Sequence, residues 1–221
     1  MSRLLLLAVI AGSLPAIAAF AQAPDGQPSG QRDGRPDLAK AQTIVKDVCS
    51  ACHGADGNSA TPVNPSVAGQ PAEYITLQLA HFRSGLRVNP VMQAMAATLQ
   101  PEDTRALGIY YSQQKPKGLG AKEAALATAG QKLFRGGDAA AGIPACAACH
   151  APNGAGIPKN YPRLAGQHAD YTLAQLKAFK AGERGQDKDG KDINGRIMAT
   201  IAAKMSEAQM KAVAEYASGL R

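Results

Sequence analysis

The side chains best equipped for chemistry fall into two short, matching runs. The chain has four cysteines, at positions 49, 52, 146 and 149. Each pair is closed by a histidine, giving Cys49-Ser50-Ala51-Cys52-His53 and Cys146-Ala147-Ala148-Cys149-His150. This C-x-x-C-H form is the pattern of covalent c-type haem attachment. Two thiols three positions apart on one turn reach the two vinyl groups of a porphyrin and form thioethers. The next residue then presents its imidazole to the iron as proximal ligand. A four-cysteine zinc site would not call for a histidine after each pair, and 93 residues between the pairs is long for one. A thioredoxin-like redox pair needs a βαβ setting, which the pattern lacks. Disulfides would leave His53 and His150 unexplained. The expectation is two covalently bound haem c groups, on Cys49/Cys52 and Cys146/Cys149, with His53 and His150 on the irons.

The two runs belong to a longer duplication. At an offset of 97, Pro65, Ala68, Gly69 and Gln70 match Pro162, Ala165, Gly166 and Gln167. Further on, Tyr74, Gln78, Leu79, Phe82, Gly85 and Arg87 match Tyr171, Gln175, Leu176, Phe179, Gly182 and Arg184. The offset then becomes 106, pairing Met92 with Met198 and Tyr110 with Tyr216; a nine-residue insertion within Gly185–Arg196 accounts for the change. One module is used twice.

The repeat register also selects a second iron ligand. Met95 faces Ile201 and Leu99 faces Met205, as apolar packing positions do, whereas only Met92 and Met198 are methionine in both copies. Both precede the last helix of their copy, in a segment able to fold over the distal side of a haem. The expected pairs are His53/Met92 and His150/Met198, with Met95 the alternative in the first copy. Methionine ligation raises the potential relative to two histidines and leaves no open iron position. That favours an electron-transfer protein over an enzyme.

Around these ligands, the carbonyl of Pro65 or Pro162 can accept the imidazole's other N–H, or the proline can serve as a rigid loop residue. Arg87 and Arg184 can pair with haem propionates or stand as solvated helix-end residues. Tyr74, Tyr171, Tyr110 and Tyr216 suit packing at least as well as propionate binding. His81 faces Ala178 and His168 faces Pro71, so both read as ordinary helix residues. Asp187-Lys188-Asp189-Gly190-Lys191-Asp192 imitates a calcium loop, but Lys191 and Asp192 occupy the wrong positions for one.

The elements that must hold these residues read as all-α. A helix leads into each cysteine pair, at about Leu38–Val48 and Lys122–Phe134. A second begins at Pro71 or His168, with Pro in a first-turn position in the first copy, and stops at Gly85 or Gly182. A third spans about Pro101–Ser112 or Glu207–Ser218, and Ser206 with Gln209 forms a capping-box pattern. The expected organisation is a signal peptide at 1–21, a flexible leader at 22–36, one domain at 37–112, a linker at 113–120 and a second domain at 121–221.

Composition agrees. Of 221 residues, 45% are hydrophobic and 19% charged, a globular balance. Six Tyr, four Phe and no Trp are little bulk for two small cores, so two porphyrins are expected to fill them. Residues 1–21 read as a secretory signal, with Ala19-Phe20-Ala21 ahead of the cleavage point. A retained anchor is the alternative, and Gly12, Ser13 and Pro15 interrupt its apolar run. Residues 22–112 carry 7 basic and 8 acidic side chains, and residues 113–221 carry 16 and 9. The basic surplus therefore lies in the second copy, which is expected to steer onto an acidic partner surface. No nucleic-acid motif is present, and no small-molecule substrate is expected.

Two C-x-x-C-H modules, each followed by P-x-x-A-G-Q-x-x-x-Y and a methionine before the last helix, resemble the dihaem cytochrome c4 family. The stretches Cys52–Ser59 and Tyr161–His168 are especially close, and the resemblance covers about residues 37–221. It implies two tandem class I cytochrome c folds about a pseudo-twofold axis, with the haems approaching through their propionate edges. It also implies electron transfer in the periplasm between respiratory complexes and a terminal oxidase, with His53, Met92, His150 and Met198 as ligands. The rival readings are a dihaem oxidoreductase, such as a thiosulfate dehydrogenase or peroxidase, and a dihaem subunit held by a catalytic partner such as a sulfide dehydrogenase.

Overall fold

The computed structural model describes residues 35–187 and 189–221. The expected signal peptide, and the leader up to residue 34, lie outside the described residues. Helices dominate the rest: the described residues form two isolated β-bridges, Asp138 with Ile143 and Ile157 with Tyr161, and no strand.

In the first copy, α1 (Leu38–Ile44) starts where the Asp37 side chain accepts the Lys40 N–H at 2.9 Å. It passes through one π-helical turn, Val45–Cys49, into the short α2 (Ser50–His53). Helix α3 (Ala72–Ser84) follows Pro71 and ends at Gly85, in the left-handed conformation that glycine adopts without strain. Helices α4 (Pro90–Ala97) and α5 (Pro101–Ser112) each begin with proline in the first turn. The second copy repeats this as α6 (Ala124–Gly136), α7 (Ala147–His150), α8 (Ala169–Ala181), α9 (Ile193–Ala203) and α10 (Glu207–Gly219).

Two features differ from the sequence reading. Pro71 flanks α3 as its N-cap instead of lying inside the first turn. Helices α4 and α9, which carry Met92 and Met198, were read only as segments ahead of the last helix; Asn89 and Asp192 cap them, accepting the Met92 and Gly195 N–H groups at 2.9 Å each. The capping box at Ser206 and Gln209 forms with both of its hydrogen bonds.

Close helix crossings organise each copy. A Cβ at Gly108 of α5 would lie 2.4 Å from the Ala72 carbonyl oxygen of α3, and one at Gly130 of α6 would lie 2.0 Å from that of Ala212 in α10. Only glycine lets these backbones approach so near. The first core gathers Val45, Ile75, Leu99, Leu107 and Tyr111. The second gathers Leu133, Phe134, Leu176, Met205, Met210 and Val213. Leu99 and Met205 are buried as the repeat register requires of packing positions.

The copies interlock through reciprocal hydrogen bonds. Gln70 donates from Nε2 to the Arg163 carbonyl at 2.7 Å and accepts the Arg163 N–H at 3.0 Å. Gln167 does the same to Ser66, at 2.8 and 2.9 Å. Arg87 reaches Tyr171 and Gln175 at 2.7 and 2.9 Å, and Arg184 reaches Tyr74 and Gln78 at 3.1 Å each. Between the copies the chain is pinned at Asn58, which donates to the Lys115 carbonyl and accepts from the Lys117 N–H.

Candidate functional site

The π-helical turn and α2 deliver Cys49 and His53 to one side of a cavity of about 310 Å³ in the first copy, while Cys52 on α2 is exposed. Helix α4 forms another wall with Met92 and Met95, which are three positions apart and both line the cavity. Ile75, Leu79, Leu99 and Leu107 make the remaining surface mostly apolar. The expected ligands His53 and Met92 therefore share a cavity, and the alternative Met95 shares it too, at 42% exposure.

The histidines of both motifs make the expected contact with a proline carbonyl. His53 Nδ1 lies 2.9 Å from the Pro65 carbonyl oxygen, and His150 Nδ1 lies 3.0 Å from that of Pro162. A carbonyl can only accept, so Nδ1 carries the proton and Nε2 keeps its lone pair. Burial lowers the pKa of both imidazoles, partly opposed by the hydrogen bond to proline. Each ring is thus held neutral and oriented, as a metal ligand must be.

All four cysteines are free. Burial raises the Cys49 thiol, and it pushes Cys146 up to about 11. Both are therefore thiols, not thiolates, at neutral pH. Beside Cys49, the buried Tyr111 hydroxyl faces the cavity, with the Cys49 thiol as its neighbour. An apolar cavity lined by one thiol, a neutral imidazole and two thioethers, with the exposed Cys52 next to the imidazole in the chain, fits a c-type haem.

In the second copy His150 is buried and stands edge-on to Tyr161, with ring centroids 6.2 Å apart. Cys146 and Met198 pack against the same core cluster.

Other expectations need correction. Arg87 is buried at 8% exposure and is not a solvated helix end. Its guanidinium lies 4.6 Å over Phe82 and donates to Gln78 as well as across the interface. Arg184 repeats this over Phe179 at 4.4 Å. Tyr74 and Tyr171 accept from these arginines, while the Tyr110 hydroxyl donates to the Ala55 carbonyl. His168 is not an ordinary helix residue: its Nε2 bonds the Ser59 carbonyl of the other copy at 2.9 Å. His81 is buried with Nδ1 3.8 Å from Asp192, inside the inserted segment. Gln70 and Gln167 were visible only as repeated letters. Buried amides at matching positions were the signal that they had work to do.

Relatives decide what such a pair of sites belongs to. Residues 127–220 match the cytochrome c family model, and residues 36–110 match the model described as cytochrome c oxidase, cbb3-type, subunit III. The chain is 41% identical over 183 residues to a cytochrome c4 of Azotobacter vinelandii, covering 78% of this chain and 84% of that one. This chain belongs to the cytochrome c4 family. The crystal structure of reduced recombinant cytochrome c4 from Pseudomonas stutzeri superposes with a TM-score of 0.76 at 39% identity, covering 84% of this chain and 99% of that one. A thiosulfate dehydrogenase electron acceptor of Thiomonas intermedia is 42% identical over 171 residues, 76% of each chain. The cytochrome c4 relationship makes this an electron-transfer protein of two cytochrome c domains, and such domains imply covalently bound haem c. Among the described residues, no helix of this cytochrome c4 relative is long and apolar enough to cross a membrane.

Proposed function

We propose that the protein carries electrons on two haems, one attached through Cys49 and Cys52 and the other through Cys146 and Cys149. His53 and Met92 hold one iron, and His150 and Met198 hold the other. The observation that carries this reading is the matched pair of imidazoles, His150 buried and His53 partly buried, each held neutral and aimed by a proline carbonyl. When bound, each haem supplies one reversible one-electron couple. The chain's own residues orient the imidazoles, the apolar lining of the first cavity would keep water from the group held there, and α4 and α9 would bring Met92 and Met198 to the irons. With a methionine available to each iron, neither site needs an open position for a substrate.

The same reading places the protein in the periplasm, exported by residues 1–21, between respiratory complexes and a terminal oxidase. The similarity to a thiosulfate dehydrogenase electron acceptor supports a second donor, a thiosulfate-oxidising enzyme that passes its electrons to this carrier. A redox titration followed by optical spectra tests the carrier. Two low-spin haems titrating at positive potentials support it, and a high-spin component overturns it. Rapid reduction by a purified thiosulfate dehydrogenase, compared with a quinol-oxidising complex, separates the donors.

A further inference from the structure

One peptide group in each copy serves both a histidine and the opposite copy. The Pro65–Ser66 peptide accepts from His53 Nδ1 through its carbonyl and donates its N–H to Gln167 Oε1, at 2.9 Å in each case. The Pro162–Arg163 peptide accepts from His150 Nδ1 and donates its N–H to Gln70 Oε1, both at 3.0 Å. Each glutamine is fixed in this sense because its Nε2 donates to the next carbonyl, that of Ser66 or Arg163. Reversing either amide would set N–H against N–H and oxygen against oxygen.

We propose that Gln167 tunes His53, and Gln70 tunes His150, so that each copy sets the iron-donor strength of the other's proximal histidine. An acceptor on the N–H end of an amide drives negative charge onto its carbonyl oxygen, since hydrogen bonds in series polarise one another. A more negative Pro65 oxygen pulls harder on the His53 Nδ1 proton and makes Nε2 the stronger donor, which favours the oxidised iron. The glutamines are 7% and 6% exposed, so water does little to screen the effect. Both are positioning residues that act through a peptide, and the inference rests on His53 and His150 being iron ligands.

The test uses the full haem-loaded chain with Gln167→Met and Gln70→Met made singly, and each haem's potential followed through its own NMR resonances. Gln167→Met is expected to raise the first copy's potential more than the second's, and Gln70→Met the reverse. The His53 ring N–H should exchange with deuterium faster in Gln167→Met while that of His150 is unchanged. A merely structural glutamine would loosen the interface without this crossed pattern. Equal shifts, shifts confined to the variant's own copy, or no shifts overturn the proposal. If a variant fails to load, the wild-type protein still decides. Slow exchange of the Ser66 and Arg163 amides supports the relay, and fast exchange overturns it. A failure of the ligand reading shows itself separately, as a high-spin wild-type spectrum before any glutamine is changed.

Discussion

Ala151 occupies a backbone conformation that its repeat partner Gly54 adopts without a side chain. Each follows its histidine directly, with φ/ψ of 67°/154° at Ala151 and 75°/152° at Gly54. Among the described residues Ala151 is the one non-glycine with positive φ. This region is nearly closed to L side chains and costs about 1–3 kcal/mol. Ala151→Gly should therefore raise the unfolding free energy by roughly 1–2 kcal/mol, after the added freedom of the unfolded chain is offset. The guanidinium midpoint of the haem-loaded protein measures this, and a lower midpoint in the variant contradicts it.

Two thioethers face the first cavity, so the distal ligand there is decided by substitution. Met92→Ala is expected to remove one haem's sulfur-to-iron charge-transfer band and to let that iron bind an added ligand such as imidazole. Met95→Ala should leave the band in place. Met198→Ala should abolish the band of the other haem. A spectrum unchanged by Met92→Ala and altered by Met95→Ala would move the ligand to Met95.

His81 makes the fold sensitive to acid. Burial lowers its pKa below the ordinary 6.5, with Arg184 and Arg87 acting in the same direction and Asp192 and Asp187 against it. The unfolded chain therefore binds the proton more readily than the folded one. This contribution to stability is complete above about pH 6.5 and is lost as pH falls from there through the lower folded-state pKa, at no more than about 1.4 kcal/mol per pH unit for one proton. His81→Leu should lose less stability than wild type between pH 7 and pH 5 in denaturant titrations. Parallel profiles would assign the acid sensitivity elsewhere.

The basic surplus of residues 113–221 includes exposed Lys132, Arg135, Lys159, Lys180, Arg196 and Lys204. Steering onto an acidic partner is screened by salt. The bimolecular rate of electron transfer to the oxidase should fall several-fold between about 50 and 500 mM salt. A flat rate across that range would place docking on uncharged surface.

Much of the candidate site was legible because its motif is local. Each C-x-x-C-H run ends in a histidine that meets a proline carbonyl, and the repeat register marked Leu99 and Met205 as the buried packing positions they are. Helix ends marked by Gly85, Gly182 and Ser206 were equally local. What escaped was non-local. Helices α4 and α9 are capped by Asn89 and Asp192, residues that neither offset of the repeat pairs with each other. The partners of Arg87, Gln70 and His168 lie in the other copy, and no spacing within one copy points to them. Ala151 escaped for another reason: nothing in an alanine announces a backbone angle that only its glycine counterpart reveals.

The reciprocal bonds between copies have a consequence for how such a chain arose. Residue i of one copy touches j of the other, and the counterpart of j touches the counterpart of i. That is the signature of an isologous two-fold interface between identical subunits. A single ancestral module with these contacts would self-associate, and fusing the genes would turn that dimer into one polypeptide whose halves meet at high effective concentration. The contacts without a mirror image, His168 with Ser59 and Asp192 with His81, need two copies that differ in sequence and so came after the duplication. They favour the pairing of unlike halves over the pairing of like with like.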